Sequence, residues 1–125
     1  MLKNIDIPIT HKLESVAGWI LDKKGSDLLA LDVTAYHTFT ECIIIVTATS
    51  PRHAQGIADH ILEECRVANF EFLHMEGYQS GQWILIDLND LVISIFQKDA
   101  RTLYRLEDLW KSARIIKDTR QTVTA

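Results

Sequence analysis

The sequence is short of cysteine, has no long apolar run and carries no basic excess, and each shortage closes off a class of protein. Cys42 and Cys65 are the two cysteines in 125 residues, too few and too widely spaced for a disulfide framework or a zinc site. Cys42 lies inside an apolar, strand-like run and Cys65 on an apolar helical stripe, so both read as small core residues. The opening stretch, MLKNIDIPIT, has no long apolar segment, and no run approaches membrane-spanning length. A cytoplasmic protein with no membrane attachment is the expectation. The net charge of −4 offers no global basic field for direct DNA binding or for non-specific RNA binding. A nucleophile elbow, a Walker loop and a dinucleotide fingerprint are all missing, as are internal repeats and low-complexity linkers.

What is present suits one ordinary globular domain. Hydrophobic residues make up 47% and charged residues 24%, and the length suffices to bury a real core. The domain is expected to span residues 1–116, with 117–125 as a flexible tail that lacks apolar periodicity. His11 to Lys24 places Leu13, Val16, Ala17 and Ile20 at helical spacing, with Thr10 as N-cap and Gly25 as the stop. Leu28–Val33 and Glu41–Thr47 read as strands, the second β-branched enough to be buried on both faces. Ser50-Pro51 opens a helix running to about Ala68, with Ala54, Ile57, Ala58, Ile61, Leu62 and Cys65 on one stripe. Phe70–Met75 is a third strand. The loop between the first two strands, with Tyr36, His37 and Phe39, reads as packing rather than a site.

The stretch from Gly77 to Trp110 organises the rest. Gln82–Leu88 and Leu91–Phe96 are β-rich runs separated by Asn89-Asp90, residues that tolerate a tight two-residue turn. Pairing outward from that turn sets Leu88 against Leu91, Ile86 against Ile93 and Ile84 against Ile95, an all-aliphatic core face. The opposite face mixes Trp83, Leu85 and Asp87 with Phe96, Ser94 and Val92. Such a face needs a cover, from the chain's own helices or from a partner. Asp99–Tyr104 and Leu106–Ile116 follow as helical segments. The sum is an α/β single domain, a mixed five-stranded sheet packed with helices.

Candidate chemistry is thin. His53 and His60 stand two helical turns apart, too far to share a metal. Asp87 and Asp90 flank the hairpin turn and could attract a hard cation, although turn carboxylates ordinarily stay solvated and fix the turn. The Thr47–His53 segment joins a buried strand to a helix N-terminus, where anions bind, but it has no glycine and Ser50 suffices as a cap. The aromatic set is different. Trp83, Phe96, Tyr104 and Trp110 fall close together with Leu103, Leu106 and Leu109 among them, enough for a protein-binding cluster. From Glu76 to Trp110 six acids stand against three bases, which suits a basic protein partner.

Four pieces in order, LALDV at Leu29–Val33, ATSPRHAQGIADHI at Ala48–Ile61, MEGYQSGQWILIDLNDLVISIF at Met75–Phe96 and ARTLYRLEDLW at Ala100–Trp110, resemble the ribosomal silencing factor family (RsfS, Iojap-like). The resemblance implies a mixed-sheet α/β fold remotely like nucleotidyltransferases, without enzymatic activity or cofactor. It implies a translational repressor that binds the large ribosomal subunit through large-subunit protein number fourteen, at the inter-subunit face. There it would block joining of the small subunit when nutrients run low, with a role in late large-subunit assembly as well. Carried over by position, the partner-binding residues are Trp83, Arg101, Tyr104, Leu106, Glu107, Leu109 and Trp110. The family usually has glycine at Ala48 and histidine at Ser94, and a frequent turn glycine at Asn89. The alternative is a nucleotidyltransferase-like enzyme using metal and nucleotide, for which Asp87 and Asp90 would have to serve as the paired carboxylates. A third reading is self-association through the mixed face, making the free protein a homodimer. Contact between the basic tail and rRNA is left open by the sequence.

Overall fold

The computed structural model describes residues 8–120. Within them the chain runs α1 (Ile9–Asp22), β1 (Ser26–Asp32), a 3-10 turn (Thr34–Tyr36), β2 (Cys42–Ala48), α2 (Pro51–Ala68) and β3 (His74–Glu76). It continues through β4 (Trp83–Asp87), β5 (Leu91–Gln97), α3 (Lys98–Tyr104), a 3-10 helix (Leu106–Trp110) and β6 (Arg114–Asp118). The strands form one mixed sheet in the order β3-β4-β5-β2-β1-β6. Only β2 and β5 pair in parallel, as a crossover through α2 requires; the other neighbours are antiparallel.

Helices α1 and α2 cover one face of the sheet. Leu13, Val16, Ala17 and Ile20 of α1, with Ala54, Ile57, Ala58, Ile61 and Cys65 of α2, pack on Ile44, Val46, Ile84, Ile86, Ile93 and Ile95. Every residue of β2 is buried, as its unbroken β-branched run demands of a central strand. Ser50 caps α2 by accepting the His53 amide at 3.0 Å, with Pro51 at the first helical position. Asn69 ends that helix in the left-handed region, φ 61°. The hairpin register is the expected one, Trp83↔Phe96, Ile84↔Ile95 and Ile86↔Ile93. Asn89 takes φ 80° in the turn, the conformation for which a glycine is the usual choice.

Several boundaries differ from the sequence reading. Helix α1 starts at Ile9 after Pro8, so Thr10 lies inside it and not at the cap. The left-handed residue at its end is Lys24, φ 64°, not Gly25. Gly25 is needed for space, since a Cβ there would stand 2.5 Å from Ile20 Cγ2 and 2.9 Å from Val46 Cγ2. The third strand is short because Phe70 turns inward to pack on Trp19, ring centroids 5.5 Å apart. The sheet has six strands rather than five. Arg114–Asp118, expected as the end of a helix and the start of a loose tail, pairs antiparallel with β1, and Thr119 N–H donates to Leu28 O at 2.8 Å. The outer edge of β1 carries backbone groups that need partners, and β6 supplies them. The domain limit drawn at residue 116 therefore falls inside a strand; residues 121–125 lie outside the described residues.

Candidate functional site

The second face of the sheet is covered only in part. Leu29, Leu31, Val33, Ile43, Ile45, Phe96 and Ala100 form a smaller core there, with Tyr36, Trp83, Val92, Leu106 and Trp110 half-buried against it. Alternation along β4 sends Trp83 to this side while Ile84 and Ile86 face the helices. The loop Gly77–Gly81 sets where β4 begins. Gly77, φ 81°, would put a Cβ 2.0 Å from the Trp83 carbonyl oxygen, and Gln55 Nε2 donates to Tyr78 O at 2.8 Å, tying the loop to α2.

Trp83 is the hinge of an aromatic stack. Its ring lies 4.8 Å from Phe96 and 5.1 Å from Tyr104, and its indole N–H donates to Ser94 Oγ at 3.0 Å. Phe96, 0% exposed, is core. Tyr104 at 57%, Leu109 at 65% and Leu103 at 74% are outward. Beside them an apolar groove of about 170 Å³ runs over Ile43, Leu85, Val92 and Ser94, walled by Trp83, Leu106 and Trp110 on one side and Phe39 on the other. Phe39 is 84% exposed. Reading it as loop packing was wrong, and no sequence signal separated it from its neighbour Tyr36. Tyr36 does pack, edge-on to Trp110 at 5.0 Å, with its hydroxyl accepting the Ser112 amide at 2.9 Å.

The seven residues carried over by resemblance thus divide. Trp83, Tyr104, Leu106 and Trp110 come together on one partly exposed surface, and Leu109, next to Trp110 in the chain, is largely exposed. Arg101 and Glu107 sit behind it. Arg101 is 8% exposed; its Nη1 donates to Asp27 O at 2.6 Å and Thr47 Oγ1 at 2.9 Å, and its Nε to Glu107 Oε2 at 3.0 Å. These bonds fasten α3 and the 3-10 helix to the start of β1 and the end of β2.

The two carboxylates that the enzyme alternative would use, Asp87 and Asp90, both have partners. Asp90 Oδ1 is held at 2.6 Å by the Lys12 ammonium, and Asp87 Oδ1 accepts the Asn89 amide at 2.8 Å. Among the described residues, no three His, Cys, Asp or Glu side chains gather as metal ligands. In the loop before α2, Thr49 N–H donates to His53 Nδ1 at 2.9 Å and His53 N–H to Ser50 Oγ, while His53 Nε2 lies 2.7 Å from Lys23 O. That geometry fits the tautomer with its proton on Nε2. A polar cleft of about 440 Å³ below α3 is lined by Lys98, Arg101, Arg105 and Arg120 against Asp27, Glu107 and Asp108. Its arginines pair with Glu107, Asp108 and Asp118, so the cleft concentrates little net charge for an anion.

Comparison with known proteins places the chain in a family. The sequence pattern described as "Ribosomal silencing factor during starvation" (RsfS) matches residues 7–125. The chain belongs to the RsfS family. The ribosomal silencing factor RsfS of Haemophilus influenzae is 40% identical over 87 residues, 70% of this chain and 85% of the relative. That of Bacillus subtilis is 35% identical over 92 residues, 74% and 78% of the two chains. A crystal structure from Chromobacterium violaceum superposes with a TM-score of 0.82 at 24% identity, over 94% of this chain and 92% of that one. Another, from Bacillus halodurans, gives 0.77 at 29% identity over 86% and 98%. The fold is thus that of solved relatives. Ser94 Oγ, by accepting the Trp83 indole N–H, fixes the ring that starts the stack. No helix among the described residues is long and apolar enough to cross a membrane.

Proposed function

We propose that this protein represses translation by docking on the large ribosomal subunit at large-subunit protein number fourteen and blocking the approach of the small subunit. The observation that carries the reading is the open, aromatic-walled surface formed by Trp83, Tyr104, Leu106 and Trp110, with Leu103, Leu109 and Phe39 standing out beside it. Large apolar side chains this exposed cost free energy in water, and each contributes about 1.5–3 kcal/mol when a partner buries it fully. Asp108 and the other acids of this segment suit a basic partner and favour fast association. Repression by exclusion needs contact area and no catalysis, metal or cofactor. The same attachment would serve a late step of large-subunit assembly, and in the free protein a second copy would cover the same face.

The test is a subunit-joining assay. Purified large and small subunits are mixed with rising amounts of the protein, and the joined particle is resolved on a sucrose gradient. The proposal expects the joined peak to fall and the protein to travel with the large subunit. An undiminished joined peak at saturating protein would overturn it.

A further inference from the structure

The surface proposed for docking rests on a short, lightly anchored segment. Helix α3 has seven residues and no side-chain cap, and the 3-10 helix after it buries none of its five residues fully. Between the two, Arg105 takes φ 48°, a left-handed kink that redirects the chain. Neither piece is long enough to hold its shape alone. A largely buried ion pair joins them directly, inside the exposed Arg105–Asp108 pair at the kink. Arg101 belongs to α3 and Glu107 to the 3-10 helix, and they meet at 3.0 Å with side chains 9% and 23% exposed.

The pair is anchored from behind as well. Arg101 Nη1 reaches the Asp27 carbonyl at 2.6 Å and the Thr47 hydroxyl at 2.9 Å, so the clamp is referenced to β1 and β2 and not merely to its own segment. Its second edge is open: Arg101 Nη2 and Glu107 Oε1 are buried and make no hydrogen bond. The fork is therefore closed by one bond where the guanidinium could make two. Such a clamp is specific in direction and depends on the one acceptor that Glu107 offers Arg101 Nε.

We infer that Arg101 and Glu107 are positioning residues for the docking surface, setting Tyr104, Leu106, Leu109 and Trp110 in one arrangement against Trp83, and do not themselves touch the partner. The inference rests on the docking reading and assigns this pair a different part in it from the other five residues. Because the contact residues follow Arg101 and flank Glu107, loosening the clamp costs affinity through lost preorganisation rather than lost contact.

The experiment compares wild type, Glu107→Gln, Glu107→Ala, Arg101→Lys and Trp83→Ala. Two measurements are made on each: affinity for purified large subunits at two salt concentrations, and hydrogen exchange of the free protein. Glu107→Gln keeps an oxygen acceptor for Arg101 Nε and is expected to bind within about threefold of wild type, with the same salt dependence. Glu107→Ala removes the acceptor and is expected to bind about tenfold or more weakly, with faster exchange confined to amides 98–110 while β2 and β5 stay protected. Should Glu107→Ala unfold globally, Arg101→Lys carries the same test, since it keeps the charge and most of the volume but cannot reproduce the fork. A Glu107→Gln variant as weak as Glu107→Ala, with a shallower salt dependence, would make Glu107 a direct contact and overturn the inference. So would unchanged exchange at 98–110 in the clamp-breaking variant. Failure of wild type to bind large subunits sinks the docking reading instead, and Trp83→Ala losing affinity while the clamp variants bind normally sinks the clamp alone.

Discussion

The Lys12 ammonium, fully buried on the inner face of α1, lies 2.6 Å from the Asp90 carboxylate and 3.0 Å from the Leu88 carbonyl oxygen in the β4–β5 turn. It also stands 5.6 Å from the Phe70 ring centroid. A helix near the N-terminus is thereby tied to a turn far along the chain, at the point that sets the hairpin. The arrangement gives Asp90 a structural task.

Breaking this pair from the lysine side leaves an acid that is only a quarter exposed without its cation, while the Leu88 carbonyl keeps the Asp90 amide at 3.2 Å. Lys12→Met is predicted to lower stability by about 2–3 kcal/mol, somewhat less than the about 3–5 kcal/mol of a fully buried broken pair, because Asp90 can partly rehydrate. Adding Asp90→Asn to it should recover much of that loss, since the double variant leaves no unpaired charge. Urea unfolding of the two variants and of wild type decides this. A single variant as stable as wild type would mean the pair contributes nothing net.

The cysteines are predicted to be inert in the folded protein. Burial pushes both thiols up to about 11, so very little thiolate forms near neutral pH, and the thiolate is the reactive form. At pH 8, Ellman's reagent should modify native protein at least roughly a hundredfold more slowly than urea-unfolded protein. Rapid labelling of one thiol in the native state would show that α2 or β2 opens far more readily than its packing implies.

Acid should loosen the outer edge of the sheet first. Hydrogen bonds from Thr34, and to a lesser degree Arg114, hold the Asp32 carboxyl below its usual 3.8, and Arg120 does the same for Asp118. Both groups lie in the β1–β6 pairing, at Asp32↔Arg114 and Leu29↔Asp118. A depressed folded-state value means stabilisation that is complete above the unfolded value and disappears as pH falls through the folded one. Amide protection in 114–118 is thus predicted to hold from pH 7 to about pH 5 and to drop below about pH 4, where such carboxylates begin to protonate. Protection that falls between pH 7 and 5 would point to a histidine instead.

Much of this was legible in the sequence because it follows from period. The β4–β5 register came directly from alternation about Asn89-Asp90, and α2 from Ser50-Pro51 and its apolar stripe. Strand β6 was hidden because Arg114–Asp118 has two adjacent isoleucines among charges, without alternation, after a run whose Leu106, Leu109 and Trp110 spacing looks helical. That run forms only a 3-10 helix, with Glu107 reaching back to Arg101. Lys12 and Arg101 were illegible as buried groups. Their partners, Asp90, Asp27 and Thr47, are far away in the chain, and a lone cation on an apolar stripe ordinarily reaches out to water. The aromatic surface was half legible: composition marked Trp83, Tyr104 and Trp110, but only three-dimensional placement separates the exposed Phe39 and Leu103 from the buried Phe96.

The most direct measurement is sucrose-gradient co-sedimentation of wild type and Leu109→Asp with purified large subunits, alongside the melting temperature of each. Leu109 is largely exposed, so the substitution should leave melting within about 2 °C, as expected of a surface change. The account predicts that wild type travels with the large subunit and that Leu109→Asp stays at the top of the gradient. Co-sedimentation of both proteins alike, or of neither, would contradict it.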